Sequence, residues 1–162
     1  MERFRLGTME DAEGIFAMYR AAAVLGQSNG SSVWDEDYPD RETLLEDLAA
    51  GRLLVLEEEG NLLASIALLE AEESEAGLPW TQARPCFPAR LCVAPGRQGK
   101  GLGERVMRLL AARVRAEGCG AIRLMAAVAN QAANRLYARM HYRRVGLVHM
   151  YDQDFLAYEL LL

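Results

Sequence analysis

The sequence lacks most of the features that mark specialised classes of protein. Nowhere in its 162 residues does an apolar run approach the ~20 needed to span a bilayer, and the start, Met1-Glu2-Arg3-Phe4-Arg5, has no apolar stretch of a secretory leader. A cytoplasmic location with no membrane partner is the expectation. Cysteine is scarce: Cys86, Cys92 and Cys119 are odd in number and lack C-x-x-C spacing, which argues against a disulfide framework and a thiolate metal site. Histidine is scarcer still, at His141 and His149 only, with no H-E-x-x-H or facial-triad spacing, so no metal is expected. Nor is there a basic excess. The 18 basic and 23 acidic side chains leave a net charge of −5, which speaks against a sequence-independent nucleic-acid binder.

What is present is an ordinary globular balance, 51% hydrophobic and 25% charged, at a length suited to one domain over residues 1–162. The charge is unevenly placed. Residues 1–83 hold 5 basic against 18 acidic side chains, whereas residues 84–144 hold 13 against 2. A middle segment this basic is suited to an anionic ligand.

No repeat or linker interrupts the pattern. A strand at Phe4–Leu6 leads to Thr8, the N-cap of a helix carrying Ile15, Met18, Tyr19, Ala22 and Ala23, and residues 26–32 read as a loop. Trp34 to Pro39 forms an acidic, aromatic connection to a second helix that starts at Asp40 and stops at Gly51. Runs 53–56 and 62–69 around Glu59-Gly60-Asn61 form a hairpin, and residues 70–77 with the prolines at 79, 85 and 88 read as loop. A strand at Leu91–Val93, an amphipathic helix over 102–117, a strand at 121–128, a helix at 132–140, and strands at 142–151 and 155–161 complete the chain. The order β-α-α-β-β-β-α-β-α-β-β defines a mixed α/β (α+β) domain.

The most informative segment is Val93-Ala94-Pro95-Gly96-Arg97-Gln98-Gly99-Lys100-Gly101-Leu102-Gly103, a glycine-rich turn from strand to helix. Glycines at 99, 101 and 103 remove side chains where backbone N–H groups at a helix start can approach phosphate, with Arg97 and Lys100 adding charge. A P-loop needs Lys after its last glycine, but Leu102 follows Gly101. The Rossmann fingerprint G-x-G-x-x-G fails because Gly103 comes one place early. What remains is Q-x-x-G-x-G at Gln98, Gly101 and Gly103.

This turn resembles the pyrophosphate-binding loop of the GNAT superfamily of acetyl-CoA-dependent N-acetyltransferases, whose signature Q/R-x-x-G-x-G/A follows a strand ending V-x-P. Asn130-Gln131-Ala132-Ala133-Asn134-Arg135-Leu136-Tyr137-Ala138-Arg139-Met140-His141-Tyr142 resembles the later family motif N-x-x-A-x-x-L-Y-x-K/R-x-G-F/Y. The order of elements also matches the family fold. The resemblance implies a splayed pair of central strands, with Leu91, Cys92 and Val93 holding the pantetheine arm and the thioester oxygen. It implies that the amides of Gln98, Gly99, Lys100, Gly101, Leu102 and Gly103 hold the pyrophosphate, and that Asn130 contacts the cofactor arm. Tyr137 would then protonate the departing thiolate, with direct transfer in a ternary complex. Homodimerisation is possible, with the apolar strand Phe155 to Leu162 as an edge for pairing.

Three positions depart from the family pattern. His141 replaces the glycine after the second motif, and a histidine can serve as a cap at positive φ. No carboxylate lies between Glu75 and Glu104, where the family often carries its base, leaving Glu70, Asp35 and Glu36 as candidates. Cys92 has nothing nearby in sequence to activate it, so it reads as a small strand residue. The acids and aromatics of Trp34 to Tyr38 would suit a small cationic amine acceptor. A second class of reading is a catalytically silent module that binds acyl-CoA; a nucleotide-dependent kinase is disfavoured by the failed P-loop spacing.

Overall fold

A computed structural model describes residues 1–30, 34–70 and 77–162. The hydrophobic alternation of residues 53–58 shows how the fold is layered. Leu54 and Leu56 pack with Met107, Leu110, Val114 and Ile122 on one face of the sheet, while Leu53 and Val55 pack with Ile15, Tyr19, Leu44 and Leu48 on the other. Period-2 strands that are apolar on both faces demand helices on both sides.

The elements are β1 (Glu2–Leu6), a 3-10 turn (Met9–Asp11), α1 (Ala12–Asn29), α2 (Arg41–Ala49), β2 (Leu53–Glu58), β3 (Asn61–Leu69), β4 (Pro85–Val93), α3 (Leu102–Ala116), β5 (Ala121–Ala127), α4 (Gln131–Arg139), β6 (Arg143–Met150) and β7 (Gln153–Leu161). This is the expected order throughout. The seven strands form one sheet in the order β1-β2-β3-β4-β5-β7-β6, antiparallel except for β4 beside β5. α1 and α2 cover one face and α3 the other.

Local chemistry sets the boundaries. Thr8 donates its N–H to the Asp11 carboxylate at 2.8 Å, and Asp40 accepts from Thr43 N–H at 2.8 Å as the N-cap of α2. Glu59 and Gly60 both have positive φ in the two-residue β2–β3 turn, and Tyr151 and Asp152 repeat this between β6 and β7.

Three expectations are corrected. The helix α1 runs through Gly26, which is buried, to Asn29, and ends at left-handed Gly30. A loop from 26 is therefore wrong; its last part, residues 31–32, lies outside the described residues, as do 71–76 of the acidic loop. Pro85 and Pro88 belong to β4, which starts six residues earlier than the sequence suggests. Proline fits there because β4 has a partner on one side only over most of its length. Finally, β7 is not an edge: it pairs with β5 and with β6, so the pairing edge expected of Phe155 to Leu162 does not exist, and β6 occupies the margin.

Candidate active site

The parallel strands β4 and β5 meet only at Pro85↔Ala121 and Cys86↔Ile122 and then diverge, although β4 continues to Val93 and β5 to Ala127. On its other side β4 stays paired with β3 as far as Ala64↔Val93. One edge of Leu91–Val93 therefore faces an opening between the strands. A bulge sits just before it: the β3–β4 register shifts between Ser65 and Ala67, and Arg90 has φ +55.

The opening belongs to a cleft of about 610 Å³. Leu91, Cys92, Val93, Gln98, Gly99, Gly101, Leu102, Gly103, Asn130 and Tyr137 all line it. Of the cofactor-binding and catalytic residues expected from sequence, Lys100 does not, being exposed on the turn, and neither do the candidate bases Asp35, Glu36 and Glu70.

The glycine turn is built in two steps. Arg97 N–H donates to Ala94 O at 3.0 Å across Pro95 and left-handed Gly96, a turn that reverses the chain beyond β4. Gln98 then donates its Nε2 to Val93 O at 3.1 Å, tying the turn back to the strand. Gly99 and Gly101 have φ +77 and +76, and a Cβ on either would meet no atom within 4 Å. That space above the backbone, and the first turn of α3 with no side-chain cap, make a cradle suited to pyrophosphate. Gly103 differs from expectation: it is helical, and a Cβ would make only ordinary contacts at 3.5 Å to Leu136 and 3.8 Å to Leu91. Arg97, Arg135 and Arg139 supply positive charge along the cleft.

α4 supplies the opposite wall. Asn130 accepts from Ala133 N–H at 3.2 Å as the helix N-cap, so its Oδ1 is committed and its amide NH2 is the group available to a ligand. Tyr137 is 7% exposed and packs at 5.3 Å from the Tyr142 ring and 5.5 Å from the Tyr158 ring. Burial, aided by the neighbouring Tyr158, pushes its hydroxyl up to about 12, so it retains its proton at neutral pH. Asn134, which sequence reasoning passed over inside the motif, fixes this wall. It donates to Ala127 O and Asn130 O, both at 2.9 Å, and accepts from the Tyr158 hydroxyl at 2.6 Å. His141 has φ +64, as expected of a cap in the glycine's place.

Burial pushes the Cys92 thiol up to about 12, which keeps it from being a nucleophile. The candidate bases are dispersed. Asp35 Oδ1 accepts from the N–H groups of Asp37 and Tyr38 at 2.8 and 2.9 Å, while Glu36 and Glu70 are exposed. Among the described residues, the carboxylate lining the cleft is Glu104, which pairs with Arg139 at 3.4 Å. No group of three His, Cys, Asp or Glu among the described residues could hold a metal, and none of their helices is long and apolar enough to cross a membrane.

Sequence reasoning missed the network beside the cleft entirely. Asp47, fully buried in α2, accepts from Arg52 Nε at 2.7 Å and from Arg90 Nη2 at 2.5 Å, and Arg90 also donates to the Tyr38 hydroxyl at 3.3 Å. The available signal was an acid between Leu44 and Leu48 on the apolar face of α2, a position that requires cations.

A family model described as the acetyltransferase (GNAT) family matches residues 15–142. A GNAT-family acetyltransferase of Streptococcus agalactiae has TM-score 0.83 at 21% identity, covering 99% of this chain and 95% of that one. The yncA protein of Salmonella typhimurium, solved with its cofactor acetyl-CoA, has TM-score 0.75 at 18% identity, over 99% and 94%. The ribosomal-protein-S18-alanine N-acetyltransferase of Escherichia coli has TM-score 0.72 at 14% identity, over 99% and 94%. No curated protein sequence matches the chain.

Proposed function

Because the chain belongs to the acetyltransferase (GNAT) family, we propose that it transfers the acetyl group of acetyl-CoA to a primary amine, by direct attack in a ternary complex, as a single domain over residues 1–162. The observation that carries this reading is the opening between β4 and β5, which ends at a turn of left-handed glycines. When bound, acetyl-CoA supplies a thioester whose carbonyl carbon the amine attacks. Amide groups of Leu91–Val93 on the unpaired edge hold the acyl oxygen as charge develops on it. The turn from Gln98 to Gly103 holds the pyrophosphate, and the Asn130 amide steadies the arm. As the C–N bond forms and the C–S bond breaks, Tyr137 gives its proton to the sulfur and the amine releases its own to solvent.

The acidic connection 34–38 favoured a cationic acceptor, but Asp35 is occupied by its own turn and the cleft is lined by arginines. The reading here is an amine without a second positive charge. Cytoplasmic location, no nucleic-acid partner and a possible homodimer remain part of the proposal. Calorimetric titration with acetyl-CoA, followed by thiol release across an amine panel, tests it. Saturable binding with amine-dependent thiol release is expected. Binding without release to any amine would favour a silent acyl-CoA-binding module, and no binding at millimolar acetyl-CoA would refute both.

A further inference from the structure

The acceptor side of the cleft is formed where α1 and the connection to α2 approach β4: Ala22, Leu25, Gly26 and Trp34 present an apolar wall, and Arg90 enters from the bulge. The connection is anchored to α1, since Arg20 donates to Pro39 O at 2.8 Å and Gln27 to Trp34 O at 2.7 Å. Arg90 is the charged residue on this wall. Its guanidinium is held by Asp47 on one side and the Tyr38 hydroxyl on the other. Asp47 is already paired with Arg52 through its other oxygen, so one carboxylate serves two guanidinium groups and the cluster keeps a net charge of +1. The buried hydroxyl of Tyr19 lies beside Arg90 and feels its charge and its hydrogen bonding. The cluster thus holds a surplus of positive charge, which favours an oxygen anion and disfavours a second cation.

Resting on the acetyltransferase reading above, we propose that the acceptor is an amine that also carries a carboxylate, of the α-amino-acid type, and that Arg90 is the residue that selects it. The amine points toward the edge of Leu91–Val93 and the carboxylate toward the bulge, three residues or fewer away along β4. Trp34 and the small residues of α1 face the remainder of the molecule. A polyamine or alkylamine gains nothing from this cluster and meets its charge.

The test uses the intact protein with acetyl-CoA and measures kcat/KM by thiol release for the common amino acids, their amides, and the corresponding decarboxylated amines. The best amino acid is expected to exceed its own amide and amine by at least tenfold, and Arg90→Gln to bring that ratio toward one while KM for acetyl-CoA changes less than twofold. Equal or better turnover of the amide or the amine by the wild-type protein overturns the carboxylate proposal while leaving acetyl transfer intact. An unchanged ratio in a folded Arg90→Gln protein removes Arg90 from it. No transfer to any of these amines overturns the amino-acid acceptor, and no transfer across the wider amine panel refutes acetyl transfer itself. The wild-type comparison decides the acceptor class even where the variant does not fold.

Discussion

Tyr137, the proton donor of the proposed reaction, has two conditions to meet. Its hydroxyl must keep the proton in the resting protein yet lie at the cleft, and burial among Tyr142 and Tyr158 meets the first condition while its position on α4 meets the second. Tyr137→Phe is expected to lower kcat by about 10²–10⁴-fold with acetyl-CoA affinity within twofold, read from steady-state kinetics beside calorimetry. Because burial pushes the hydroxyl up to about 12, its loss as an acid should leave no falling limb in the wild-type pH–rate profile below about pH 11. At this scale the sequence made legible the places of residues in a local motif: Asn130 and Tyr137 line the cleft, and His141 takes a positive φ. It was illegible for Arg90 and Asp47, which are 43 residues apart and acquire meaning only when α2 packs on the β4 bulge.

Among the elements, the turn between β4 and α3 depends most on one conformation. Gly101 is both the left-handed N-cap of α3 and the open floor of the proposed phosphate cradle. Gly101→Val places a β-branched residue at φ +76 and fills that floor. Acetyl-CoA affinity should fall at least tenfold in calorimetry, whereas Gly103→Ala, where a methyl is accommodated, should stay within about twofold of wild type. Helices and hairpins were readable because caps and turn residues are local signals: Asp40, Gly60 and Gly118 mark their boundaries. The start of β4 was hidden because proline normally excludes a central strand, and nothing in the sequence says that β4 loses its second neighbour after Cys86. The extension of α1 past Gly26 was hidden for the converse reason, since glycine weakens a helix locally while packing against the sheet sustains it.

For the molecule as a whole, one buried carboxylate links the three strands of the far half of the sheet. Glu159 of β7 stands opposite Arg123 of β5 and Arg143 of β6, accepting from them at 3.1 and 3.0 Å, and it takes the Thr81 hydroxyl at 2.9 Å. Burial alone would raise its pKa, but the bonds from Thr81, Arg143 and Arg123 outweigh this and hold it below the ordinary carboxylate range. A carboxylate lowered on folding contributes stability above its unfolded pKa and loses it as the pH falls through the folded one. Glu159→Gln should therefore cost about 3 kcal/mol at pH 7 by urea unfolding, leaving the buried Arg123 guanidinium against a neutral amide. The difference from wild type should shrink on acidification below about pH 4.

The divergence of β4 and β5 also governs how the molecule comes apart. β1 to β4 form one continuous ladder and β5, β7 and β6 another, and only two residue rows stitch them together. Strand pairing is thinnest at this seam, and amide exchange is expected to show the two ladders opening as separate units joined through the core they share under α3. The proposed acetyl-CoA, lying across the seam, would act as the missing rung, and the two units are then expected to open together. Occupancy of the cleft then sets the size of the cooperative unit as well as its stability.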